Sequence, residues 1–193
     1  MSVAEKFGFL YKHKIVRRYV VTNSFDGALT MLGILLISFF AGLKDPRLII
    51  LPGIGSAVAL SVSGVWSAYA AETSEAINKI KNLEKHLLIK LKENKVTRKG
   101  KELTYFISFI NGAAPLIISF LILSPFFIVT TGLFTADVGY LLALIIAAVI
   151  LFLLGIFTGK TAKENVIKNG FKMLLAGVMI GVIFFILAKL GWL

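Results

Sequence analysis

Thirty-four consecutive residues, 103–136, carry no formal charge, and the 24 residues 48–71 share that property. A bilayer core of roughly 30 Å takes about 20 residues at a rise of 1.5 Å each, so runs of this length mark membrane-crossing helices. In lipid every backbone amide must be satisfied within the protein, which restricts such runs to helix. The rest of the chain agrees: it is 58% hydrophobic, with a mean hydropathy of +0.88. A soluble domain of 193 residues has fewer and shorter apolar runs. The expected fold class is an all-α integral membrane protein, a single domain over 1–193 with five transmembrane helices. The spans fall at about 19–42, 47–71, 104–128, 138–157 and 170–191. Pro115 is expected to kink the third, and Pro125 sits near its far end.

The 21 Lys and Arg residues set the expected orientation. Five precede the first span, nine lie between Lys79 and Lys101, and four lie between Lys160 and Lys172. These 18 fall on one side, leaving Lys44, Arg47 and Lys189 for the other. By the positive-inside rule the N-terminus is cytoplasmic and the C-terminus outside, in the cell (plasma) membrane. The net charge of +11 is therefore a topology signal, and no nucleic-acid partner is expected. The basic N-terminal segment lacks a short apolar stretch ending in a small-residue cleavage site, so the first span reads as a retained anchor. With no cysteine in the chain, disulfides and thiolate metal sites are excluded.

Asp26 is the single formal charge of the first span. On lenient insertion scales a carboxylate at the centre of a spanning helix costs about 2.5–3.5 kcal/mol, so such a group normally faces protein or a hydrated path. Helical spacing puts Asn23, Asp26, Thr30 and Gly33 on one face. These are oxygen donors suited to a hard or borderline divalent cation, or to a proton. The alternative is a capping or helix-packing cluster, since Asp26 lies only about two turns past Arg18.

In the second span Gly55, Ala59, Ser63 and Ser67 recur every four residues and form a small-residue face. Such a face permits close packing on the first span or on a second subunit. Residues 72–102 form a cytoplasmic helical extension. Ile77, Ile80, Leu83, Leu87 and Leu91 make an apolar stripe that carries the helix to about Leu91, before a turn near residues 93–101. Glu72 and Glu75, one turn apart, are candidates to share a cation, and Glu84, His86, Glu93 and Glu102 are further ones. A solvated helix with pairs such as Glu75 and Lys79 is the competing reading. Asn111, in the third span, offers an amide either to a neighbouring helix or to a permeating ion. No phosphate-cradling, zinc-protease or nucleophile-elbow motif occurs. An enzyme is therefore not expected.

The residues also resemble the vacuolar iron transporter family. NSFDGALTMLGILLI is similar to that family's first span, SVSGVWSAYAAETSE to the end of its second, ISFINGAAPLIISFLILSPFF to its third, and GKTAKENVIKNGFKMLLAGVMIG to its last loop and fifth span. The resemblance implies a homodimer that exchanges a divalent metal, chiefly iron(II), for protons along an interface lined by the first span. Asp26 then matches the aspartate of the family's metal path. The family commonly has a Met and then Gly-Glu-Tyr late in its second span. Here Ser63, Gly64, Ser67, Ala68 and Tyr69 occupy that stretch. A site without thioether sulfur suits harder ions such as manganese(II) or calcium as well. The family's acidic cytoplasmic domain is reduced here to a shorter, basic segment in which Glu72 and Glu75 remain.

The expectation is thus a carrier of iron(II) or manganese(II) moving metal out of the cytoplasm, with no permanently bound cofactor. Its path would be lined by Asp26, Asn23, Thr30, Met31, Ser63 and Asn111, and its metal held by Asp26, Glu72 and Glu75. The alternatives are a non-transporting assembly or lipid-binding protein, whose basic face between Lys79 and Lys101 meets anionic lipid, and a membrane enzyme acting on a lipid.

Overall fold

The computed structural model describes the backbone of residues 3–87 and 95–191, and of these the side chains of 15–82, 84–86, 102 and 104–191. Five helices account for nearly all of it. They are α1 (Val3–Phe40), α2 (Arg47–Leu87), α3 (Lys95–Val129), α4 (Ala136–Ala162) and α5 (Val166–Lys189). Each contains a stretch long and apolar enough to cross a membrane. Each expected span falls on its own helix, but α1 and α5 end at Phe40 and Lys189, short of the expected limits at 42 and 191, where Gly42 and Gly191 take positive φ; at their other ends the helices overrun the apolar stretches.

The overrun at the start of α3 corrects an expectation. Residues 95–101, read from the sequence as part of a turn, are the first two turns of α3. They hold one glycine and no proline, and their Lys and Arg residues favour helix, so nothing stops the helix at the edge of the apolar run. The extension of α2 is continuous to Leu87. Residues 88–94, including Leu91 and Glu93, lie outside the described residues. On that extension Ile77 is exposed and Ile80 half-buried. Pro115 and Pro125 both sit inside the continuous α3.

The helices run alternately up and down. At one end Lys44, between α1 and α2, forms an ion pair with Asp137 at the start of α4. Beside it the Tyr140 hydroxyl donates to the Leu43 carbonyl at 3.0 Å. At the opposite end Tyr19 of α1 meets Glu72 of α2, and Arg17 lies near Thr161 of α4. Here α4 ends on Lys163 with a left-handed φ of 56°, and Asn165 caps α5 by accepting from the amides of Ile167 and Lys168 at 3.1 and 3.2 Å. The connection is therefore three residues, 163–165, where the sequence reading allowed a longer loop.

Helix α1 touches all four others. Its Ala28, Met31, Leu32 and Leu35 pack with Ile122, Leu123 and Phe126 of α3 and with Tyr140, Ala143, Ala147 and Leu151 of α4. This apolar core occupies the half of the bundle that carries the Lys44–Asp137 pair. The other half is different: it buries Glu72, Thr104, Ser108 and Asn111. The first half is closed chiefly by hydrocarbon packing, though it also buries Ser38 and Ser119, and the second carries the hydrogen bonds that join three helices.

Candidate functional site

Three helices meet in the polar half because small residues let them come close. A Cβ built at Gly112 of α3 would stand 2.6 Å from the Ser61 carbonyl of α2. One at Gly27 of α1 would stand 3.0 Å from both the Cα and the carbonyl oxygen of Pro115. The backbones are thus in contact on both sides of α3. Asn111 sits at this junction, 1% exposed. Its amide nitrogen donates to the Gly64 carbonyl at 2.6 Å, and its oxygen accepts from Asn23. Asn23 donates as well to the Tyr19 carbonyl, one turn back, at 3.0 Å. One turn toward the helix start the Tyr19 hydroxyl donates to the Glu72 carboxylate at 3.3 Å. Below Asn111 the Ser108 hydroxyl donates to the Thr104 carbonyl at 2.8 Å. The result is a polar seam that ties α1, α2 and α3 together.

Asp26 lies on another flank of α1. Tyr19, Asn23 and Gly27, spaced by four, turn toward α2 and α3, whereas Thr22 and Asp26, also spaced by four, do not. Asp26 is exposed and no hydrogen bond or ion pair to it is found among the described residues. Next to Thr22 a cavity of about 340 Å³ opens between α1 and α4, lined by Arg17, Arg18, Val21, Thr22, Thr158 and Thr161. Asp26 is therefore one turn deeper than this cavity, on the same flank.

The sequence-derived site residues are distributed as follows. Asn23 and Asn111 come together, but as partners of each other and of backbone carbonyls, so both amides are occupied in the seam. Thr30 is half-buried on α1. Met31 is 0% exposed inside the apolar core. Five residues beyond Asp26, it points to a different side of the helix, and its thioether sits in hydrocarbon rather than beside the carboxylate. Ser63 is exposed on α2, as are Gly55, Ala59 and Ser67. That small-residue row does not make the close contacts within the chain. The buried Gly53, Ala57, Gly64 and Ala68 make them instead, and nothing approaches within 4 Å of the Gly55 Cβ position.

Glu72 and Glu75 also part company. Glu72 is 9% exposed and faces Tyr19, whereas Glu75 is exposed and pairs with Lys79 at 3.3 Å. Glu84 is half-buried, and His86 and Glu102 are exposed. Among the described residues, no three His, Asp or Glu side chains converge. Sequence reasoning missed Tyr19, Thr22, Thr158 and Thr161. Tyr19 stands beside Arg17 and Arg18 at the start of the apolar run, where aromatic residues concentrate, and that was the available signal. The threonines gave none.

This fold defines a class: a five-helix, multi-pass membrane protein with a polar seam among its first three helices. The chain belongs to the same family as the uncharacterized protein MJ0645 of Methanocaldococcus jannaschii. The two are 33% identical over 175 residues, which cover 89% of this chain and 88% of that protein. No protein-family model matches the chain.

Proposed function

We propose that this chain is a carrier of divalent metal ions, iron(II) or manganese(II), exchanged against protons along a homodimer seam lined by α1. The orientation read from the basic residues, with the N-terminus cytoplasmic and the C-terminus outside, would make it an exporter from the cytoplasm across the plasma membrane. One observation supports the reading: Asp26 is exposed on the flank of a spanning helix and, among the described residues, no hydrogen bond or ion pair reaches it. Facing hydrocarbon, that carboxylate costs about 2.5–3.5 kcal/mol or more. Facing a second copy across a two-fold axis, it becomes half of a di-carboxylate site. Two carboxylates held face to face either share protons or bind one divalent ion, and that choice is the chemistry of an exchanger.

The supporting residues take different parts. Thr30, four residues beyond Asp26 and on the same side of α1 by spacing, is a further oxygen donor. Asn23 and Asn111 brace α1 against α3 and hold Asp26 in place without binding the ion themselves. Glu72, at the cytoplasmic end of the seam, would receive metal before it reaches Asp26. The oxygen-rich donor set favours iron(II) and manganese(II) over softer ions.

Reconstituted into vesicles, the protein should take up manganese(II) or iron(II) when a pH gradient is imposed, and collapsing the gradient should stop the uptake. Asp26→Asn keeps the shape of the side chain and removes its charge, and should abolish the flux while leaving the protein folded. Equal uptake by the wild type and Asp26→Asn would overturn the proposal.

A further inference from the structure

Two arginines stand on the lining of the cavity between α1 and α4, yet the proposed cation path lies one turn above it. Arg17 and Arg18 line it from α1, with Thr22, Thr158 and Thr161 around its wall; the Thr158 hydroxyl already donates to the Gly155 carbonyl at 2.8 Å, which leaves Thr22 and Thr161 as the hydroxyl donors. The Arg18 guanidinium is itself held 5.5 Å from the centre of the Tyr19 ring and lies within electrostatic reach of Glu72. The exposed Lys160 stands one residue before Thr161. The nearest acid on the α4–α5 connection, Glu164, accepts from the Asn169 amide at 3.0 Å. Asp26 is not among the lining residues.

Guanidinium groups with hydroxyl donors are a phosphate-binding set, because the planar fork of Arg matches phosphate oxygens two at a time. The position selects among phosphates. Arg17 and Arg18 stand at the start of the apolar part of α1, Ile15–Phe40, and Thr161 at the end of α4. Both are therefore at headgroup level. The face of α4 that carries Thr161 continues at Phe157 and Leu153, 45% and 55% exposed, four and eight residues away and so in line with it. A molecule seated here meets cations and hydroxyls at one end and an exposed apolar strip along the other.

We propose that this cavity is a binding site for the phosphate of an anionic membrane lipid, whose acyl chain lies along Phe157 and Leu153. The site does not use Asp26, and it meets the polar seam only where Arg18 lies against Tyr19.

The test is native mass spectrometry of the full chain in detergent, titrated with phosphatidylglycerol and, separately, with zwitterionic phosphatidylcholine. The wild type should retain phosphatidylglycerol about tenfold more strongly, and Arg17→Gln with Arg18→Gln should erase that preference. Thr22→Val keeps the charge and should weaken phosphatidylglycerol severalfold, as a built site requires and diffuse attraction does not. The charge-matched pair Lys168→Gln and Lys172→Gln should leave the preference intact. Equal loss in the two double variants, or an unchanged preference in the arginine pair, would overturn the site. So would millimolar inorganic phosphate binding at these arginines without any preference between the lipids, which would assign the cavity to soluble phosphate compounds.

Discussion

The Asn111 amide is used in both directions, donating to Gly64 on α2 and accepting from Asn23 on α1, so a single side chain joins three helices. Interhelical hydrogen bonds in membranes are modest, on the order of 0.6 kcal/mol each, but a buried amide or carbonyl left without a partner adds its own penalty. Asn111→Ala should therefore lower stability by about 1–2 kcal/mol, read as an earlier midpoint in a denaturant titration in mixed micelles. An unchanged midpoint would mean that the seam does not hold the helices. Ser67→Ala, on the exposed face of α2, should leave that midpoint where it is. At this scale the sequence was informative about kind and silent about direction. A carboxylate in α1 and an amide in α3 were both legible as exceptional at membrane depth. That Asn23 turns to α3 while Asp26 turns away was not. Residues 23 and 26 are only about 60° apart around a helix, too little to separate by spacing alone. The burial of Met31 follows from the same geometry, because it depends on which flank α3 and α4 occupy.

Helix pairs in this bundle are set by glycines at their crossings. Helices α4 and α5 meet where a Cβ at Gly155 would lie 2.5 Å from the Gly170 Cα, backbone against backbone. Gly181, farther along α5, has nothing within 4 Å of its Cβ position. Gly155→Ala should then cost roughly 1–3 kcal/mol through forced separation of the two helices. Gly181→Ala should be neutral, or stabilising by up to about 1 kcal/mol, through helix propensity alone. Comparing their thermal midpoints checks this, and similar values for the two variants would contradict the crossing geometry. The five apolar runs gave the helices without difficulty, because span length is fixed by the bilayer. Helix ends were less legible, as at Lys95, since a helix that has left the lipid needs no hydrophobicity to continue. The small-residue row of α2 was legible as a row. Its partner was not, since two small stripes run along that helix and only packing decides which one α3 covers.

Taken as a whole, the molecule has a hydrocarbon half and a polar half, and its basic residues gather at the polar end. The orientation can be read directly because the chain has no cysteine of its own. Thr131→Cys, at the α3–α4 connection, should react with a membrane-impermeant maleimide in intact cells, and Lys163→Cys only after permeabilisation. The opposite pattern would invert the topology and reverse the direction of transport. Oligomeric assembly is the level at which one sequence says least, because an exposed acid within a span does not name what it faces. The most direct measurement is manganese(II) binding by the purified protein, followed by electron paramagnetic resonance. A shared seam predicts one tightly held ion per two chains, with its signal lost in Asp26→Asn. One ion per single chain, or a signal that survives Asp26→Asn, would contradict it.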